Sequence, residues 1–223
     1  DQEVLLSIPL FILAGNIMSQ GSLPKRLITM MRVATAPVPG GLAIATILSC
    51  ALFAAISGSS TVTLIAVGSI MYPALIKAGY SKNFALESLC AAGTLGIIVP
   101  PSIPLILYGV MTQTSIADLF KAGIGPAIML TSIFSIYALI YNLKIERGDF
   151  QLSEIITVAK KGIFALFMPV LILGGIYSGL FTATESAAVA VFYAVIIEVF
   201  IHKEMNFTDL QKVIIENVNF DLE

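Results

Sequence analysis

Apolar residues run along this chain in long blocks separated by short polar or Pro/Gly breaks. The first block, roughly Val4–Gln20, is closed by Gly21 and Pro24. Lys25–Ala36 is amphipathic and predicts a helix lying on a membrane surface. After the breaker PVPGG, Gly41–Ile56 runs into SGSST (Ser57–Thr61), and a second arm, Val62–Lys77, leads to the turn GYSKN. Phe84–Val99 stops at VPPSIP (Val99–Pro104), because a proline pair removes two donors and clashes with the preceding turn. Ile103–Met111 completes that crossing, so the pattern predicts a broken helix over about 84–111. The connector QTSIADLFKAG leads to a span at about 124–143, an amphipathic linker through Lys161, and spans at Ile163–Leu180 and Glu185–Ile201. The tail carries one candidate surface helix near Phe207–Val218.

Composition turns these blocks into membrane segments. Hydrophobic residues make up 57% of the chain and charged ones 12%, about half the usual charged share, and the mean hydropathy is +0.95. Several blocks approach the ~20 residues that a helix needs to cross a bilayer core. The predicted class is an all-α integral membrane protein, a multi-span helical bundle. The alternation of a membrane barrel is missing. Cys50 and Cys90 both lie in apolar blocks, which argues against a disulfide framework. No basic block points to nucleic acid. The chain opens DQEVLL, with neither an initiator Met nor the basic leader of a signal peptide, and reads as part of a longer protein.

Charge tests the path. With SGSST as a turn-around, Lys25, Arg26, Arg32, Lys77, Lys82, Lys144, Arg147, Lys160, Lys161, Lys203 and Lys212 share one face and only Lys121 lies opposite. That bias makes the basic face cytoplasmic. It does not separate two full crossings from a re-entrant hairpin over about 41–77, since both give the same parity.

The breaks carry the candidate chemistry. Stopping a helix exposes carbonyls at its C-terminal end and N–H groups at the next N-terminus. Carbonyl and hydroxyl oxygens suit a hard cation such as Na⁺, and helix N-termini suit an anionic group. SGSST and Gly96–Pro104 therefore read as two halves of one oxygen-lined site, against the plainer readings of an external loop and a simple kink. Elsewhere the structural reading leads. Thr182-Ala-Thr-Glu185 fits a capping box, Glu198 and Glu87 sit one turn from a loop and are expected to reach water, and the Asn16 amide is expected to bond a neighbouring helix. Catalysis fails on inventory: the only histidine is His202, no metal-ligand spacing occurs, and no phosphate-binding loop is present.

Four stretches, IPLFILAGNIM, AAISGSSTVTLIAVGSIMYPALIKAGY, AAGTLGIIVPPSIPLILYG and YSGLFTATESAAVAVFYA, resemble the large membrane subunit of tripartite ATP-independent periplasmic (TRAP) transporters. The likeness runs from about Leu5 to Val218. It implies a permease of inverted-repeat, elevator architecture in the bacterial inner membrane. Such a permease imports an organic acid (sialic acid, a C4-dicarboxylate or similar) by sodium symport, with a periplasmic substrate-binding protein and a small membrane subunit as partners. Sodium would be the coupling ion, and no organic cofactor is implied. Carried over by motif, the sodium site would draw on Ser57, Gly58, Ser59, Ser60 and Thr61 at the hairpin tip and on Gly96, Val99, Pro100 and Ser102 at the break. Asn16, Ser59, Thr63 and Ser102 are the candidate substrate contacts. Residues 1–161 would form the first inverted half and 162–223 the start of the second, without a second hairpin, so the chain alone is expected not to transport. Two other readings stand beside this one: a sodium/dicarboxylate-type carrier that needs no binding protein, and a non-transporting membrane scaffold.

Overall fold

A helix that is apolar on every side must end up inside protein or inside lipid, and α4 (Gly41–Ser57) and α9 (Ile116–Tyr141) show the two outcomes. In the computed structural model, which describes residues 2–143, 145 and 152–220, nearly all of α4 is buried among its neighbours. Its Ala, Gly and Ser positions let those helices approach closely. Helix α9 buries only Phe120, Gly123, Ala127 and Ala138 and exposes Ile128, Met129, Ile133, Ile136 and Ile140. An exposed apolar run of that length is a lipid-facing surface.

In chain order, α1 (Gln2–Leu5) and α2 (Ser7–Gln20) lead to α3 (Leu23–Thr35), which packs on both α4 and α10 (Leu152–Tyr177), buries Leu23, Leu27, Ile28 and Met30 and exposes Lys25 and Arg32. Helix α3 stops where the single Thr35 hydroxyl proton is shared between the Met31 and Gly41 carbonyls (2.8 and 2.7 Å). Gly40 (φ 68°) then turns the chain into α4. Helices α4 and α5 (Ser60–Lys77) form the hairpin.

The next crossing is broken twice. It comprises α6 (Lys82–Gly93), the single turn α7 (Leu95–Ile98) and α8 (Ile103–Thr112). The proline pair makes the second break. The connector to α9 is shorter than the sequence predicts, because Ser115 caps a helix that already begins at Ile116. Likewise α10 (Leu152–Tyr177) begins within the expected linker. Lys144, Arg147 and the side chains of Lys160 and Lys161 lie outside the described residues. Helix α11 (Ala183–Val195) continues as a π-helical turn through Ile201, and α12 (Phe207–Phe220) is the tail helix.

One expectation fails here. Glu198 does not reach water: it is fully buried and accepts from the Ser22 and Leu23 N–H groups (3.1 and 3.3 Å) at the start of α3. A Cβ at Gly21 would overlap its carboxylate. His202 Nδ1 lies 3.0 Å from Ser22 Oγ, and burial, helped by the Arg26 charge, holds this ring below its ordinary pKa. The folded chain thus brings an acid near the end of one span onto the N-terminus of a helix about 175 residues earlier in the chain, where the helix dipole favours it.

Candidate ion and substrate junction

The loop at the hairpin tip is only Gly58 and Ser59; Ser60 and Thr61 already belong to the first turn of α5. Gly58 takes a left-handed conformation (φ 61°) that closes α4 by donating to the Ala54 carbonyl at 2.9 Å. Its own carbonyl accepts from Ile103 N (3.2 Å), the first residue of α8. A Cβ on Gly58 would lie 2.9 Å from the Pro101 carbonyl. Tip and break are therefore in direct backbone contact.

Three further glycines allow close approaches at the tip and the break. A Cβ at Gly96, on α7, would sit 2.6 Å from Ser60 N and 2.7 Å from the Ser59 carbonyl. One at Gly15, on α2, would sit 3.0 Å from Ser57 Cα, and one at Gly123, on α9, would sit 2.9 Å from the Ile98 carbonyl oxygen. Sequence reasoning found Gly96 and missed Gly15 and Gly123. Their signal was available, since a glycine inside an apolar helix costs up to ~1 kcal/mol relative to alanine and needs a reason.

The hydroxyls face inward. Ser57 and Thr63 are fully buried and share a 2.9 Å hydrogen bond. Ser57 Oγ also lies 3.3 Å from the Ser59 carbonyl oxygen. Ser102, fully buried as well, donates to the Ile97 carbonyl. Consequently neither Ser59 at the start of α5 nor Ser102 at the start of α8 caps its helix with its side chain. The C-terminal ends of α4 and α7 and the N-terminal ends of α5 and α8 thus converge on one junction. The donor set there, carbonyls of two helix ends plus serine hydroxyls, fits a hard monovalent cation, and the uncapped N-terminus of α5 fits a carboxylate; α8 adds its dipole, since Ile103 N is taken by Gly58 and Pro104 has no N–H.

Not every sequence candidate joins this junction. Thr61 is exposed. Val99 and Pro100 line an apolar cavity of about 390 Å³ with Ala51, Leu52 and Ala55 of α4. Asn16 turns away and donates to Asn217 Oδ1 on α12 (3.0 Å), the neighbouring-helix bond that its burial calls for. Gly123 stands two residues from Lys121, so the break lies nearer the Lys121 end of α9 than the Tyr141 end. Glu185 completes the expected capping box: its N–H donates to Thr182 Oγ1 (3.2 Å) and its carboxylate accepts from Thr182 N (2.8 Å).

Comparison with known proteins agrees with this architecture. The sequence model of the family described as "Tripartite ATP-independent periplasmic transporter, DctM component" matches residues 1–222. The chain is 42% identical over 220 residues to the C4-dicarboxylate TRAP transporter large permease protein of Pseudomonas aeruginosa, covering 97% of this chain and 52% of that protein. It is 41% identical over 211 residues to the ectoine TRAP transporter large permease protein of Halomonas elongata (92% and 49%). Identity to the 2,3-diketo-L-gulonate TRAP transporter large permease protein of Escherichia coli is 39% over 218 residues (96% and 51%). The chain spans about half the length of these relatives. With its lipid-facing helices and its paired helix breaks, it belongs to the DctM component family of the tripartite ATP-independent periplasmic transporters.

Proposed function

We propose that the chain is the hairpin-bearing portion of a sodium-coupled permease in a bacterial inner membrane. The permease imports an organic acid handed over by a periplasmic binding protein and works with a small membrane subunit. One observation carries this reading: the backbone interlock of Gly58, Ser59 and Ser60 with Gly96 and Ile103, which gathers two carbonyl-rich helix ends and two uncapped N-termini. The carbonyls at the ends of α4 and α7, with Ser57, Ser59 and Ser60, would hold Na⁺, while the N–H groups opening α5 would face the substrate carboxylate; in α8 the Ile103 N–H is already taken by Gly58 and Pro104 has none. Relatives named for C4-dicarboxylate and 2,3-diketo-L-gulonate support an acid as cargo, and the one named for ectoine leaves room for a zwitterion. On this reading residues 1–161 form the first inverted half and 162–223 open the second, and the halves move in an elevator cycle. Lys121 would mark the periplasmic side, which places the junction toward the face where a receptor would dock.

The test is uptake by the complete transporter in liposomes, with its binding protein supplied outside. Uptake of a labelled dicarboxylate or keto acid should require an inward Na⁺ gradient, and Ser57→Ala should raise the half-saturating Na⁺ concentration about tenfold, the equivalent of one lost ligand at ~1.4 kcal/mol. Equal uptake with K⁺ in place of Na⁺ would sink the sodium reading.

A further inference from the structure

Roughly 25 Å from the junction, one α4 length away, the end of α3, the start of α4 and the turn after α5 surround a second cavity. Its volume is about 440 Å³, and its walls include Arg32, Leu42 and Tyr80. We propose that this cavity binds the phosphate of a membrane phospholipid, held by the Arg32 guanidinium and the Tyr80 hydroxyl, with the acyl chains lying on α9.

The cavity sits at the depth of a headgroup. Gly40, at the cavity's edge, abuts Asn142 and the Ala138 carbonyl at the end of α9. That level carries an aromatic cluster. Phe84 stacks on Tyr141 at 5.0 Å and on Tyr80 at 5.8 Å, and Tyr137 and Tyr141 are 53% and 60% exposed. Exposed tyrosines of this kind mark the membrane–water boundary. Tyr141 follows the exposed Lys121 by 20 residues on the same helix, roughly 30 Å and close to the thickness of a bilayer core.

The walls supply the chemistry of an anion site. Arg26, one face of α3 earlier, is engaged by Ser22 and Glu204, whereas Arg32 has no ion-pair partner among the described residues. A guanidinium fork matches two phosphate oxygens. Tyr80 is 5% exposed. Its oxygen faces the Leu42 and Ala43 N–H groups, and burial pushes its pKa up, so the proton stays on and finds no hydrogen-bond acceptor among the described residues. The N-terminus of α4 adds positive potential. The carbonyl ends that would repel an anion are already closed: Thr35 O accepts from Val38 N, Leu75 O from Tyr80 N and Ile76 O from Gly79 N. Beside and below the tyrosines, Ile140, Ile136 and Ile133 present the apolar strip that an acyl chain covers and a free phosphate ion would not use.

This inference stands apart from ion coupling and is tested without transport. The complete permease, purified in detergent and stripped of lipid, is titrated with phosphatidylglycerol, and retained lipid is read by native mass spectrometry. Arg32→Gln should weaken retention about fivefold and Tyr80→Phe about threefold, with Arg32→Lys in between and melting temperatures unchanged. Unaltered retention in both Arg32→Gln and Tyr80→Phe would overturn the site. Displacement of the lipid by millimolar inorganic phosphate would overturn the lipid assignment in favour of a free anion. Equal, Arg32-independent retention of phosphatidylcholine would show ordinary annular lipid and overturn it as well.

Discussion

Helix starts in this chain are built from the same small hydroxyl residues but satisfied in three ways. At α11 the cap is local, since Thr182 and Glu185 bond each other's backbone within a single turn. At α3 it is remote, since Ser22 does not cap its own helix and the buried Glu198 carboxylate takes the Ser22 and Leu23 donors instead. At α5 and α8 the Ser59 and Ser102 side chains leave the N–H groups alone. A helix end buried without a cap is disfavoured, so it persists only where something else supplies the missing partner. At this junction the partial answer is the other break, through Gly58 and Ile103. The remaining donors are what a ligand would use. On the proposed function, the difference separates ends closed for stability from ends left open to a ligand.

The largest effect should come from closing the junction itself. Gly96→Ala places a methyl group against the Ser59–Ser60 peptide, and overpacking against backbone costs about 1–3 kcal/mol or more. Thermal unfolding should show that loss, and uptake by the complete transporter should disappear. Normal transport with Gly96→Ala would break the claim that tip and break touch in the working protein.

Next comes the remote cap. Glu198→Gln keeps the shape but removes the charge and turns one acceptor oxygen into an NH2 group, so one of the two bonds from α3 is lost, at a cost of about 1.5–3 kcal/mol. The melting temperature should fall while the Na⁺ dependence of uptake stays as it was. A change in Na⁺ affinity would instead tie the α3 corner to the junction and blur the distinction drawn above.

Smallest of the three is the local cap. Thr182→Ala should cost ~1 kcal/mol, visible in a melting curve and absent from transport kinetics. Any uptake defect larger than that would move the start of α11 into the functional class.

How much of this was legible follows from range. The hairpin, the Pro break and the capping box are signalled by residues within a few positions of one another, and the hydrophobic blocks located them. Glu198 was misread because proximity to a span end suggests water, while its actual partners lie at the other end of the sequence. Gly15 and Gly123 were passed over because a lone glycine in an apolar run says that something comes close without naming it. Asn16 had the right class of partner predicted, a neighbouring helix, but nothing in its block points to Asn217.

Local sequence determined which segments are helical, where they break and which end of each break offers carbonyls or N–H groups. These follow from backbone donors, proline geometry and hydroxyl spacing, all short-ranged. Tertiary structure alone decided that the two breaks meet, that Gly15 and Gly96 bring α2 and α7 against the hairpin tip while Gly123 brings α9 against the Pro break, and that a buried acid serves a distant helix. Those outcomes depend on close packing among elements whose faces are almost uniformly apolar, and such faces carry little information about which neighbour each will choose.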